Sequence, residues 1–204
     1  DSLYRFTSES EQKEMRLRIY SNVAYYYYMK SAFQASVQLT EKAISLAQEL
    51  RDTLAWSDNL AQQSISYQRL GNWEMAIRTT LDGLYLDSLL QDTLRLSSTY
   101  NNLAGLYLTA QRPEDGKQYI DHAIELEHPQ AHPEKLSIRY GMAAELYVKL
   151  GLLPEALDFA CKAYALDMKS GDTLKIARRL SQMGDVYAAM QNLDEAEKVY
   201  RKSS

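Results

Sequence analysis

Small residues recur along this chain on a 40-residue clock, laid over the shorter spacing of amphipathic helices. One column is Ala24, Ser64, Ala104, Ala144 and Gly184. A second is Ser36, Ala76, Gly116, Ala156 and Ala196, and a third is Ala43, Gly83, Ala123, Ala163 and Ser203. Three residues after the first column stand five tyrosines, Tyr27, Tyr67, Tyr107, Tyr147 and Tyr187. Side chains without bulk let two helices approach near the short end of the usual 8–10 Å packing range, and the tyrosine then fills the space beside the contact. Larger apolar residues complete each core, such as Leu60, Trp73, Leu84 and Leu86, or Tyr140, Leu153, Tyr164 and Leu166.

The punctuation between these runs agrees. "LGNWEMA" and "LGLLPEA" read as helix, tight turn, helix around Gly71 and Gly151, and Pro113 and Pro154 fall where a first helical turn accepts proline. The triplet Asp-Thr-Leu at 52–54, 92–94 and 172–174 predicts that Asp52, Asp92 and Asp172 cap the next helix. The deviant stretch "HPQAHPE" predicts a longer irregular link closed by Pro133. Near the start, Ser8 and Glu11 form a candidate capping box, and Leu3, Tyr4 and Phe6 align with the second helix of a repeat. The expectation is one repeat domain over 1–204, with repeats near 12–51, 52–91, 92–131, 132–171 and 172–204.

The pattern small-x-x-Tyr, turn, small, small resembles the tetratricopeptide repeat. "NNLAGLYLTAQRPEDGKQYIDHAIEL" at 101–126 is similar to the long variety found in kinesin light chains and in bacterial sensor kinases and regulators. The resemblance implies an all-α fold, a right-handed superhelix of about five antiparallel helix-turn-helix repeats. The usual unit is 34 residues, so longer helices are implied here.

Composition narrows the partners. The net charge of −4 and pI of about 5.5 argue against direct nucleic-acid binding, which needs a basic footprint. No run approaches a membrane span, so a membrane enters only through a flanking segment. The single cysteine, Cys161, excludes an internal disulfide framework and reads as a small buried residue. His128 and His132 have helical ligand spacing, but Pro129 and Pro133 break the helix that a metal site would need. No phosphate-binding glycine loop occurs, and Asp194, Glu195 and Glu197 read as a solvated helix face. No catalytic residue, metal or cofactor is expected.

Candidate binding residues come from helical geometry. Positions two before the first small column, and one and five after it, lie on the far side of the first helix and turn toward a concave groove. The first of these columns is Asn22, Gln62, Asn102, Met142 and Gln182. A carboxamide offers a donor and an acceptor together, so a ladder of them can pair with a peptide backbone of any sequence. The resemblance to kinesin light chains implies that role for Asn22 and Asn102. Tyr25, Arg69, Glu145 and Lys149 from the other two columns are candidates for side-chain selection. "YYYY" at 25–28 divides in this register: Tyr25 toward the groove, Tyr27 and Tyr28 toward core or rim. A chaperone-tail clamp is not expected, because the matching positions, Ser21, Tyr25, Gln62, Ser98 and Asn102, or Ala61, Ile65, Asn102, Ile138 and Met142, carry no cation.

The sequence thus predicts a non-catalytic module that binds a peptide or protein segment. The resemblance implies the sensory or regulatory part of a bacterial signal-transduction or transcription-regulatory protein. It favours the periplasmic side of a membrane-anchored protein over the cytoplasm. The alternatives are a free-standing cytoplasmic scaffold or a homodimerisation module. The chain opens at Asp1 without methionine and stops inside the second helix of its fifth repeat, which predicts a fragment of a longer protein or a homodimer sealing that end.

Overall fold

The computed structural model describes residues 9–128 and 130–203. Among them stand ten α-helices and no strand: α1 (Glu9–Met29), α2 (Phe33–Leu50), α3 (Thr53–Arg69), α4 (Trp73–Leu90), α5 (Thr93–Thr109), α6 (Pro113–Glu125), α7 (Pro133–Lys149), α8 (Leu153–Ser170), α9 (Thr173–Ala189) and α10 (Leu193–Ser203). Each odd helix packs with the even one after it, so the chain is all-α and built from helix-turn-helix pairs. The candidate box partner Ser8 and the residues Leu3, Tyr4 and Phe6 lie outside the described residues.

The turns show why the pairs form where they do. The residue that reverses the chain within a repeat is left-handed each time: Ser31, Gly71, Gln111, Gly151 and Gln191. Only glycine takes that conformation without a steric cost, and it stands at two of the five positions. Asp52 accepts from the Ala55 N–H at 2.9 Å and Asp172 from the Lys175 N–H at 3.1 Å, so both cap their helices as expected. Asn72 and Asn192 cap α4 and α10 in the same way, at 3.2 and 3.3 Å.

The chain divides into two compact units, residues 1–92 and 93–204. In the first, Ala24, Ser36, Ala43, Ser64, Ala76 and Gly83 are all buried. Ser64 does more than stay small: its hydroxyl reaches the Ala76 carbonyl at 3.1 Å and Thr80 Oγ1 at 2.6 Å, tying α3 to α4. Ser66 donates to Ser36 Oγ at 3.0 Å and ties α3 to α2. Tyr27 departs from its column, being 38 % exposed.

In the second unit the columns are buried from Ala104 to Ala196, and Ser203 is half-buried. Tyr107 and Tyr147 are 7 % exposed, each lying against a ring twelve residues on, Tyr119 at 5.4 Å and Phe159 at 5.0 Å between centroids. Space at Gly116 is tight: a Cβ there would crowd the end of the Leu146 side chain at 2.8 Å and lie 3.2 Å from the Ala104 carbonyl. Cys161 corrects its expectation, because Ala160 and Ala163 take the buried positions of α8 and the thiol faces out, exposed. Helix α6 runs 13 residues where α2, α4 and α8 run 18. The chain then passes through an irregular link, and Pro133 opens α7 as expected.

Candidate functional site

In the first unit α1 and α3 place their column residues on successive rungs. Asn22 is exposed and Gln62 half-buried, and both line a pocket of 440 Å³ with Arg18, Ser21, Asp58 and Asn59. The Gln62 Nε2 is buried and has no hydrogen-bond partner. A buried donor left unbonded costs about 1–3 kcal/mol, which an arriving carbonyl would recover. One rung on, Tyr25 is 55 % exposed and lies over Tyr28, with 6.5 Å between ring centroids. On the next, Arg69 is exposed and donates from Nε to the Tyr28 hydroxyl at 3.4 Å. Met29 and Ile65 are also exposed there, so the polar pocket continues into an apolar and aromatic patch.

In the second unit Glu145, Lys149 and Gln182 come together around a pocket of 310 Å³. Its floor is Leu108, Ala144, Val148 and Val186, and Asp185 adds a second carboxylate. Asn102 is exposed on α5 and does not line this pocket. Gln182 is only 8 % exposed and its amide is engaged inside the protein. The oxygen accepts from Arg179 Nη1 at 2.7 Å, and the nitrogen donates to the Glu145 carboxylate and to the Gly141 carbonyl.

That engagement belongs to a buried network that the sequence reading did not single out. Ser97 donates to Glu127 Oε2 at 2.7 Å, and Arg139 reaches the same serine at 3.1 Å and the same carboxylate at 3.3 Å. Forty residues later Ser137 donates to Asp167 Oδ1 at 2.6 Å, and Arg179 donates to Asp167 Oδ2 at 2.9 Å. In the first unit Ser57 donates to Asp87 Oδ1 at 2.6 Å. The signal was available: Ser57, Ser97 and Ser137, and the acids Asp87, Glu127 and Asp167, keep the same clock. The link after α6 delivers Glu127, 5 % exposed, where helices α4 and α8 deliver their aspartates. Burial lowers the pKa of Arg139 from its ordinary value, and the charge of Glu127 opposes that shift.

Among the described residues no cluster of His, Cys, Asp and Glu could hold a metal, and no helix is long and apolar enough to cross a membrane. Although Cys161 is exposed, partial desolvation by its neighbours first and Asp158 second push its thiol up, away from the thiolate that nucleophilic chemistry uses.

The tetratricopeptide repeat family model matches residues 97–127 and 177–203. No curated protein matches by sequence. Among solved structures, BtubC (BKLC) from P. vanneervenii is similar with a TM-score of 0.78 at 17 % identity, over 96 % of this chain and 88 % of that one. A putative kinesin light chain from P. anserina with nearly identical TPR-like repeats gives 0.76 at 16 % identity, over 92 % and 93 %. A Signal Transduction ATPase with Numerous Domains from Pyrococcus horikoshii, which has a tetratricopeptide repeat sensor, gives 0.81 at 20 % identity. There the match covers 97 % of this chain and 30 % of the larger protein.

Proposed function

Because the chain carries tetratricopeptide repeats, a fold that typically serves as a non-catalytic interaction module, we propose that it binds a peptide or protein segment along the face that α1 and α3 present. The observation that carries this is the unpartnered Gln62 Nε2 beside exposed Asn22 in one pocket, with Tyr25 and Arg69 exposed on later turns of the same two helices. Amides pair with the main chain of the ligand, and Tyr25 offers a ring to one of its side chains. In the second unit the pocket of Glu145 and Lys149 over an apolar floor selects an apolar side chain with polar neighbours, while exposed Asn102 serves as a separate backbone contact.

A sensory or regulatory role in signal transduction is the context we favour, on the strength of the P. horikoshii neighbour's sensor. A second reading, homodimerisation, rests on a different observation. Leu193, 70 % exposed, lines a shallow pocket with Ala188, Ala196 and Tyr200. A solution mass of twice 23.4 kDa at all practical concentrations would favour it.

The groove is tested by selecting displayed random dodecapeptides on the 204-residue chain. The affinity of selected peptides should fall at least tenfold in Asn22→Ala/Gln62→Ala, with the helical circular-dichroism signal unchanged. Equal affinity in the folded double variant overturns the amide assignment.

A further inference from the structure

The first unit has a second groove, on a different face of α3. Trp56, Leu60, Gln63 and Tyr67 form its floor at helical spacing, α2 and α4 are its walls, and its volume is 530 Å³. Two contacts fix what stands level with what. Ser66 meets Ser36 across antiparallel α2 and α3, so Glu41 comes level with Ala61. Leu60 lies against Gly83 across antiparallel α3 and α4, so Asp82 also comes level with Ala61. Two carboxylates on opposite walls therefore stand at one height of the groove.

Neither Glu41 nor Asp82 has a hydrogen-bond or ion-pair partner among the described residues, and no lysine, arginine or histidine lines the groove. Negative charge is thus left uncompensated beside an apolar surface of Ile44, Leu60 and Leu86. The field is felt locally: burial first and Glu41 second raise the pKa of the Tyr67 hydroxyl. Both ends of the groove are aromatic, Trp56 with Tyr85 at one and Tyr67 with Met75 at the other. From Trp56 to Tyr67 the helix advances about 16 Å, the reach of about five extended residues.

We propose that this groove binds a short cationic segment of a partner protein, seating one lysine or arginine side chain between Glu41 and Asp82 and an apolar or aromatic side chain over each aromatic end. In an extended segment residues two apart point the same way, so the recognised pattern is apolar, any, cation, any, apolar. Rings at the ends suit it because an arginine or lysine that strays from the carboxylates still finds an aromatic face. This site is separate from the Asn22 and Gln62 pocket and stands or falls independently of it.

The test uses the whole chain, isotope-labelled, titrated by nuclear magnetic resonance with acetyl-Leu-Ser-Arg-Ser-Phe-amide. The reference peptide has norleucine in place of arginine. Saturable shifts are expected in α2 and α4 around Glu41 and Asp82. Affinity should be at least tenfold lower for the norleucine peptide. The same loss is expected for the arginine peptide on Glu41→Gln/Asp82→Asn, whose exposed positions leave folding intact. Asn22→Ala/Gln62→Ala should bind the arginine peptide unchanged. Any of four results overturns the proposal: no saturable shift at millimolar peptide, equal affinity for the two peptides, shifts confined to the Asn22 and Gln62 face, or self-association that Glu41→Gln/Asp82→Asn abolishes. The last would assign the groove to a second copy of the chain.

Discussion

At the position three residues before the amide column, the first unit carries Ile19 and Asn59, and the second carries Thr99, Arg139 and Arg179. Asn59 accepts from Ser21 at 3.0 Å and donates to the Ala55 carbonyl at 2.8 Å, a short-range pairing that leaves Gln62 alone. Arg179 is longer. It spans from Asp167 to Gln182, and one buried guanidinium takes up the Gln182 amide oxygen, whereas in the first unit the Gln62 Nε2 has no partner. A column on a repeat clock therefore has no fixed role. What its neighbour one helical turn back can reach decides whether an amide is bonded within the fold or left unpartnered.

The largest expected effect comes from cutting that guanidinium. Arg179→Met leaves Asp167 buried with an uncompensated charge, which costs about 3–5 kcal/mol. The readout can separate the units, because both tryptophans, Trp56 and Trp73, lie in the first. In urea the circular-dichroism midpoint should fall further than the tryptophan-fluorescence midpoint. Replacing both charges, in Arg179→Met/Asp167→Leu, should recover most of the loss, since a buried ion pair and an apolar pair of similar volume are close in energy. A single variant as stable as the parent would break the comparison.

Gly141→Ala attacks the same network from the backbone side. A Cβ there would overlap Arg179 Nη1, so the guanidinium must move off its partners. The expected cost is about 1–3 kcal/mol, read as a urea midpoint. Gly83→Ala is the matched control in the first unit, because its Cβ would meet only Leu60 Cβ at an ordinary 3.9 Å. An equal loss at both sites would show that helix packing, and not the arginine, demands the glycine.

How far the sequence showed this depends on what kind of residue keeps the clock. The small columns were legible because a close helix approach tolerates few alternatives, and Gly116 shows how little. The tyrosine column was legible as a column but not as burial. Tyr107 and Tyr147 are covered because Tyr119 and Phe159 follow twelve residues on, whereas Leu39 stands at that place after Tyr27. The serine and acid columns keep equally good time and were passed over. A lone serine or aspartate on a helix reads as solvated until its neighbours are placed, and here Ser137 and Asp167 are 1 and 2 % exposed. The amides were legible as a repeat, and the bonded Gln182 was not separable from the unpartnered Gln62 without knowing where the Arg179 side chain goes.

The amides themselves give the next test. Gln182→Ala removes an acceptor from a buried cation and should cost about 1–2 kcal/mol of stability. Gln62→Ala removes a buried donor that has no partner, so its stability should not fall and should rise by up to about 1–3 kcal/mol as the unpaired donor is removed. Thermal or urea unfolding of the two variants side by side decides it. Equal losses would mean that Gln62 holds the fold after all and would weaken its assignment to a ligand.

The smallest expected effect is one in which the units should agree. Asp52→Ala removes the cap of α3 and should cost about 1 kcal/mol, because the Ala55 N–H loses its acceptor. Asp172 caps α9 with the same geometry, and the Lys175 N–H holds its carboxyl below the usual aspartate range. The sign follows from that depression. The unfolded chain takes up the proton first, so the cap contributes fully above the ordinary aspartate pKa and is lost as pH falls through the lower folded value. An Asp172→Ala variant should therefore differ from the parent at neutral pH and converge with it in acid. Persistent divergence at low pH would mean that Asp172 acts through contacts other than its charge, and the shared cap could no longer serve as the level against which the two units are compared.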